Sequence, residues 1–370
     1  MKKILFMIPT LDHGGAEKVL VNLVNNMDKT KFDITVLTLF GGGVNRQFLK
    51  PHIRNNYCIR RIFPGNSKLL KIFSPKTLYK HFIKDHFDII VSYLEGPTAR
   101  IVSGCNDKDT KLVSWIHVQQ ESKSVASAAF RNFEEAKYCY NSFNKIICVS
   151  EYVKKNFIDN FDFSGPVHVL YNTNETEKIL SLASEHVDDY DFEKNIKTLV
   201  AVGTLKKSKG FDKLIHIHKK LLEDGINNRV IVLGTGPEEN NLKQLISKFS
   251  VGNTFKLLGY NTNPYKYIRR SDLFVCSSSA EGFSTAATEA LIVGTPVCTV
   301  DVSGMKEMLG ENNEYGIVTE NNEDALYEGI KRILTEEGLL EYYSRKASER
   351  GGFFDTQNTT KAVEKMLESL

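Results

Sequence analysis

No run of about 18 consecutive apolar residues occurs in the chain, so none of its segments is long enough to cross a bilayer as a helix. None of the six cysteines (Cys58, Cys105, Cys139, Cys148, Cys276, Cys298) stands in a CxxC pair, and several lie inside apolar runs where cysteine behaves as a small hydrophobe. A reduced, cytoplasmic compartment is expected. The glycine motifs are incomplete as well: Gly234-Thr-Gly236-Pro237 lacks the third glycine of the dinucleotide fingerprint, and no Gly-Lys-Ser/Thr follows to make a Walker loop. Asp107-Lys-Asp109 and Asp189-Tyr-Asp191 do not follow buried strands, so turn or linker acid is the better reading and no obligatory metal is expected. With a net charge of only +3, the overall balance does not indicate a nucleic-acid partner.

One absence is local. From Ile34 to Lys84 there is no Asp or Glu, while Arg46, Lys50, Arg54, Arg60, Arg61, Lys68, Lys71, Lys76, Lys80 and Lys84 give ten positive charges. Leu69, Leu70, Ile72, Phe73, Leu78, Tyr79, Phe82 and Ile83 are interleaved with the later ones. A basic amphipathic segment of this kind, 46–84, suits docking on an anionic membrane surface. A core-packed helix with a solvated basic face is the plainer reading of any single helix within it. The expected location is peripheral, on the cytoplasmic face of the membrane.

What remains is ordinary for a soluble chain: 41% hydrophobic and 25% charged residues over 370 positions, a length that predicts two domains. Met1–Pro9 resembles the front of a signal peptide, but its apolar run is short and no small-residue cleavage site follows; it reads as a first buried strand. Short apolar runs then alternate with helical patterns, which predicts βαβ units and parallel sheets. In the first half, strands are expected at 4–8, 34–38, 88–92, 111–116, 145–149 and 167–170, and helices at 15–27, 67–84, 97–103, 122–138 and 151–157. The acid-rich, weakly periodic stretch 172–197 marks the junction, giving domains 1–172 and 173–352. Strands at 198–203, 230–234, 255–258, 272–276, 297–300 and 316–318 repeat the pattern. Gly351-Gly352 is expected to break the chain before a last helix within 353–370.

The chemistry is concentrated in Glu281-Gly-Phe-Ser-Thr-Ala-Ala-Thr-Glu289, which follows a buried strand and three serines and leads into a helix. A strand, a loop and a helix N-terminus form a ready anion site. On one helix the two glutamates would lie about 12 Å apart, too far to share a proton but suited to two grips on one elongated ligand. A turn acid and a solvated helix acid remain the alternative. Gly203-Thr-Leu-Lys-Lys-Ser-Lys-Gly210 ends another strand with three lysines in four positions, a partner for a diphosphate or simply a solvated loop. At strand ends of the first half stand Gly14-Gly15, Glu95 and His117. Each has a structural alternative: a tight turn, a helix-start acid and a satisfied core histidine.

These motifs, in this order across nearly the whole chain, resemble the family-4 glycosyltransferases of bacterial surface-polysaccharide synthesis, whose GT-B fold is α/β with two facing Rossmann-like domains and a cleft between them. The matching features are Gly14-Gly15-Ala16-Glu17, His117, Gly203-x-Leu-x-x-x-Lys209-Gly210, Gly234-x-Gly236-Pro237 and Glu281-x7-Glu289 followed by Gly-Thr-Pro. The resemblance implies retaining transfer of a hexose or N-acetylhexosamine from a nucleotide-sugar donor, UDP-linked, to a saccharide or lipid-linked acceptor, with no cofactor and no metal. It implies His117, Lys209 and Glu281 as catalytic; Gly14, Gly15, Thr204, Gly236, Gly282, Phe283, Ser284, Thr285 and Glu289 as donor-binding; and Glu95 near the acceptor. Within this set Glu281 would meet sugar hydroxyls and Glu289 the ribose, while Lys209 and the amides around Phe283–Thr285 would hold the diphosphate. Thr204 departs from the family, which has an arginine there, and Lys206 or Lys207 is the expected substitute. Competing readings are a sugar-nucleotide epimerase or other enzyme on the same scaffold, a two-lobed binding protein, and a nicotinamide dehydrogenase.

Overall fold

The residues Ile4–Ile8 are all buried, as expected of a strand covered on both faces of a parallel sheet. In the computed structural model they lie in β1 (Lys2–Ile8), followed by β2 (Phe32–Phe40), β3 (Arg54–Ile59), β4 (Ile89–Ser92), β5 (Lys111–Ile116), β6 (Lys145–Cys148) and β7 (Val167–Val169). These seven strands form one parallel sheet in the order β3-β2-β1-β4-β5-β6-β7. A second parallel sheet contains β8 (Lys197–Val202), β9 (Asn228–Leu233), β10 (Phe255–Gly259), β11 (Leu273–Cys276), β12 (Val297–Val300) and β13 (Ile317–Thr319), in the order β10-β9-β8-β11-β12-β13. The structure describes residues 1–12, 14–62, 65–120, 122–161 and 163–370. His13, next to the first glycine motif, and residues 63 and 64 of the basic segment lie outside them.

The chain forms two compact units, residues 1–174 with 356–370, and residues 175–355. Each is doubly wound, and each sheet reverses its strand order at one point, between β1 and β4 and between β8 and β11. Ligands of such sheets bind beyond the carboxyl ends of the strands at that switch. In the first unit the helix Thr356–Glu368 returns to the sheet's first strand: Lys2 Nζ donates to the carbonyls of Leu367 and Glu368, at 3.0 and 3.2 Å.

Several local expectations are corrected. The single helix expected over 67–84 is two, Asn66–Ile72 and Pro75–Phe82. Proline disfavours helical geometry in the residue before it, and Ser74 is extended and accepts the Thr77 amide as an N-cap. The helix expected over 122–138 divides likewise into Lys123–Ala126 and Phe133–Tyr140, the second capped by Asn132. Strand β3, with no apolar alternation, is an exposed edge that pattern alone could not reveal. Within the stretch read as a junction lies the helix Thr176–Ala183, whose Ile179 and Ala183 pack with Tyr265 and Ile292. Gly351-Gly352 does not break the chain but lies inside the helix Leu339–Phe353. A Cβ on Gly351 would stand 2.4 Å from the carbonyl oxygen of Leu291, so this glycine permits close helix crossing.

Candidate active site

At the switch point of the second unit, the loops after β8 and β11 are stitched together by hydrogen bonds to main-chain carbonyls. The Ser279 amide donates to the Ser208 carbonyl (2.8 Å), and the Ser277 hydroxyl to the Lys209 carbonyl (2.8 Å). Gly210 adopts φ +64°, and a Cβ there would meet the Ser277 carbonyl oxygen at 2.2 Å. Lys207–Lys209 form one 3-10 turn between these anchors. Lys209 is thereby aimed across the two loops, and its Nζ lies 2.5 Å from Glu281 Oε1. Ser278 Oγ donates to the same oxygen at 2.7 Å, and Ser303, in the loop after β12, donates to the Glu281 carbonyl. The serines were visible as a run after a strand, but nothing in their spacing marked Ser278 as the partner of Glu281.

Immediately beyond, Ser284 caps the helix Thr285–Ile292 by accepting the Ala287 amide. The first amides of a helix lack intrahelical acceptors, and the dipole adds positive potential at that end. Phe283 is buried and meets Phe354 edge to face at 5.7 Å, fixing the turn that leads into the helix. Glu289 lies one turn inside the helix and is buried. Burial pushes the Cys276 thiol up, and its sulfur lies beside Glu281, so a nucleophilic thiolate is not formed there.

Thr204 is exposed at the start of the lysine loop. Lys207 is engaged by Asp212 at 2.6 Å, whereas Lys206 is exposed and has no ion-pair partner among the described residues. Leu205, between Thr204 and Lys206, is buried, its amide donating to the Thr235 carbonyl and its carbonyl accepting from the Glu238 amide. A Cβ on Gly236 would come within 2.4 Å of the Leu205 oxygen, so the glycines after β9 serve the approach of these two loops.

In the first unit the loops after β1, β4 and β5 carry the remaining predicted residues. Gly14 precedes the helix Gly15–Asn26, and the carboxylate of Glu17 folds over it, 1.9 Å from where a Cβ would stand. Burial raises the Glu17 pKa, with the charge of Asp12 acting in the same direction. Glu95 accepts the His117 backbone amide at 2.9 Å, so the structure brings these two together by a main-chain contact. Burial raises the Glu95 pKa against the lowering effect of the backbone amides it accepts. His117 lies against Tyr93, with ring centroids 4.8 Å apart, and stacks at 6.4 Å on Trp115. Its Nε2 is buried without a partner among the described residues, and burial lowers its pKa to about 3. The group at this strand end is therefore a neutral imidazole. No group of three or more His, Cys, Asp or Glu side chains among the described residues could hold a metal ion.

The family model described as "Glycosyltransferase Family 4" matches residues 13–178, and "Glycosyl transferases group 1" matches residues 184–350. A Campylobacter jejuni protein named N-acetylgalactosamine-N,N'-diacetylbacillosaminyl-diphospho-undecaprenol 4-alpha-N-acetylgalactosaminyltransferase is 26% identical over 96% of both chains. An amylovoran biosynthesis glycosyltransferase of Erwinia amylovora is 23% identical over 94% of both. Among solved structures, Anabaena HepE in complex with UDP superposes with a TM-score of 0.78 at 18% identity over the whole of both chains, a likeness of fold.

Proposed function

This chain belongs to the family-4 glycosyltransferases and has their GT-B fold; on that premise we propose that it moves a hexose or N-acetylhexosamine from a UDP-sugar to a saccharide or lipid-linked saccharide. Transfer proceeds with retention at the anomeric carbon and without a metal or cofactor. The observation that carries this reading is the ion pair of Lys209 with Glu281 beside the N-terminus of Thr285–Ile292. It places a cation and a carboxylate beside helix amides, as an anionic, hydroxyl-rich ligand would require. The UDP, UDP-glucose and glucose held by HepE favour a UDP-sugar. The acceptor named for the Campylobacter relative favours a lipid diphosphate-linked saccharide.

In this mechanism the bond between the anomeric carbon and the diphosphate oxygen breaks and a bond to the acceptor oxygen forms on the same face. The acceptor's proton passes to the departing phosphate oxygen. Negative charge grows on the diphosphate, and Lys209 with the amides of Phe283, Ser284 and Thr285 stabilises it through a preorganised field. Glu281 orients sugar hydroxyls and Glu289 the ribose.

The acid-free segment 46–84 supports peripheral attachment to an anionic membrane on its cytoplasmic face. Among the described residues, no helix is long and apolar enough to cross a membrane. Thermal unfolding against UDP, GDP and their hexose conjugates tests the donor assignment, because a ligand selective for the folded state raises its stability. UDP-sugars are expected to raise the transition; no response to any nucleotide overturns the reading. The anomeric configuration of the isolated product, read by NMR, tests retention.

A further inference from the structure

Every other α-helix of the first unit buries at least one residue, but no described side chain of Asn66–Ile72 is buried. Leu69, Ile72 and Phe73 occupy positions i, i+3 and i+4 and are 44, 68 and 45% exposed, and Ile62 just before is 60% exposed. The helix is held by its carboxyl end instead. Arg100, itself 1% exposed, donates to the carbonyls of Leu70 (2.9 Å) and Phe73 (2.8 Å). Arg131 donates to those of Lys71 and Ile72, both at 2.7 Å. Glu135 grips Arg100 through both oxygens, at 3.0 and 2.9 Å, and accepts the Arg131 amide at 2.6 Å.

Four successive terminal carbonyls are thus taken by two guanidiniums that share one carboxylate. Carbonyls at a solvent-exposed helix end are ordinarily satisfied by water. A buried arginine aimed at them fixes the helix in place while leaving its apolar face outward. The charges of the chain segment that carries that face are of one sign: Arg60, Arg61, Lys68, Lys76 and Lys80 are exposed, and no acid occurs between Ile34 and Lys84. An apolar ridge on a segment whose charges are all cationic complements an anionic lipid surface.

We infer that Asn66–Ile72, with Ile62 and Phe73, is a wedge that enters the headgroup layer of an anionic bilayer, held outward by the Arg100–Glu135–Arg131 clasp. The occupant rests on the membrane reading given above, whereas the identity of the inserting element is new. Trp115, the single tryptophan, is buried, so it contributes a constant background to an added indole. The test uses the full chain with Ile72→Trp, with Tyr342→Trp as an exposed control, and vesicles of phosphatidylcholine with or without phosphatidylglycerol, part of them brominated on the acyl chains. The Ile72→Trp indole is expected to shift to the blue and be quenched on anionic vesicles only, and the control to stay unchanged.

Ile72→Ser at this exposed site is expected to weaken vesicle binding about ten-fold while transfer to a water-soluble acceptor is retained. If the protein co-sediments with anionic vesicles but the Ile72→Trp emission does not respond, the wedge is wrong and the membrane reading stands. Failure to co-sediment at low salt removes both. Equal quenching of the two indoles, or a blue shift that follows protein concentration without lipid, overturns the wedge in favour of adsorption or a second copy of the chain.

Discussion

The amine of Lys209 and the carboxylate of Glu281 are each other's counter-ion, 2.5 Å apart, with Ser278 donating to the same carboxylate oxygen. The cation assigned to the leaving diphosphate and the acid assigned to the sugar thus neutralise one another. A donor carrying both groups can separate them, giving each a new partner. Lys209→Ala is expected to lower kcat by about 10²–10³ with a smaller change in KM, the cost of losing one oxyanion-type contact. Ser278→Ala, which removes a hydrogen bond to a charged acceptor, should cost about ten-fold. Steady-state kinetics with saturating acceptor checks both, and near-normal turnover of Lys209→Ala would contradict the assignment.

In the proposed donor site Thr204 stands where the family usually has an arginine, and two nearby lysines are not equivalent. Lys207 is held by Asp212, whereas Lys206 has no ion-pair partner among the described residues. Lys206→Ala should therefore weaken UDP binding about five- to ten-fold, and Lys207→Ala less than two-fold. Thr204→Arg should strengthen it, since a guanidinium offers bidentate contact. Titration calorimetry with UDP separates the three, and equal losses for the two lysines would show that neither is specific.

The regular parts of the fold were legible because their residues obey one period. Buried runs such as Ile4–Ile8 and Leu273–Cys276 permit little but a central strand. Where the expectations failed, tertiary contacts decided. The edge strand Arg54–Ile59 has no buried face to pattern, and Thr176–Ala183 owes its helix to Tyr265 and Ile292, distant in sequence. In the site, Lys209 and Glu281 could be named from motifs, but their direct pairing needs the loops after β8 and β11 to be side by side. Glu95 was legible as a strand-end acid; its contact with the His117 amide depends on the register of β4 with β5.

His117 and Glu95 give the pH dependence of stability two opposed contributions. Burial holds the His117 pKa near 3, below its ordinary 6.5. Between those values the unfolded chain binds a proton that the folded chain refuses, so stability rises with pH and is fully present above 6.5. The contribution is on the order of 5 kcal/mol at about 1.4 kcal/mol per unit. Glu95, raised by burial, acts the other way: the folded chain retains a proton that the unfolded chain releases, and stability falls as pH rises past the ordinary carboxylate range. His117→Asn should flatten the acid side of a plot of melting temperature against pH, and Glu95→Gln should remove the opposing slope. An unchanged acid limb in His117→Asn would show that the imidazole is not desolvated.

Adjacent glycines in the helix Leu339–Phe353 should respond to alanine with opposite signs. At Gly352 an added Cβ meets nothing within 4 Å, so Gly352→Ala should stabilise by about 0.5–1 kcal/mol through a less free unfolded chain and better helix propensity. At Gly351 the same methyl would press on the Leu291 carbonyl oxygen at 2.4 Å and the Ile292 Cα at 2.8 Å. Backbone atoms cannot swing aside as a side chain can, so the two helices must separate, and overpacking of this kind costs about 1–3 kcal/mol. Chemical denaturation of the two single variants measures the contrast directly. Equal effects would mean that the helices do not cross at Gly351, and the glycine pair would revert to the chain break that its composition suggests.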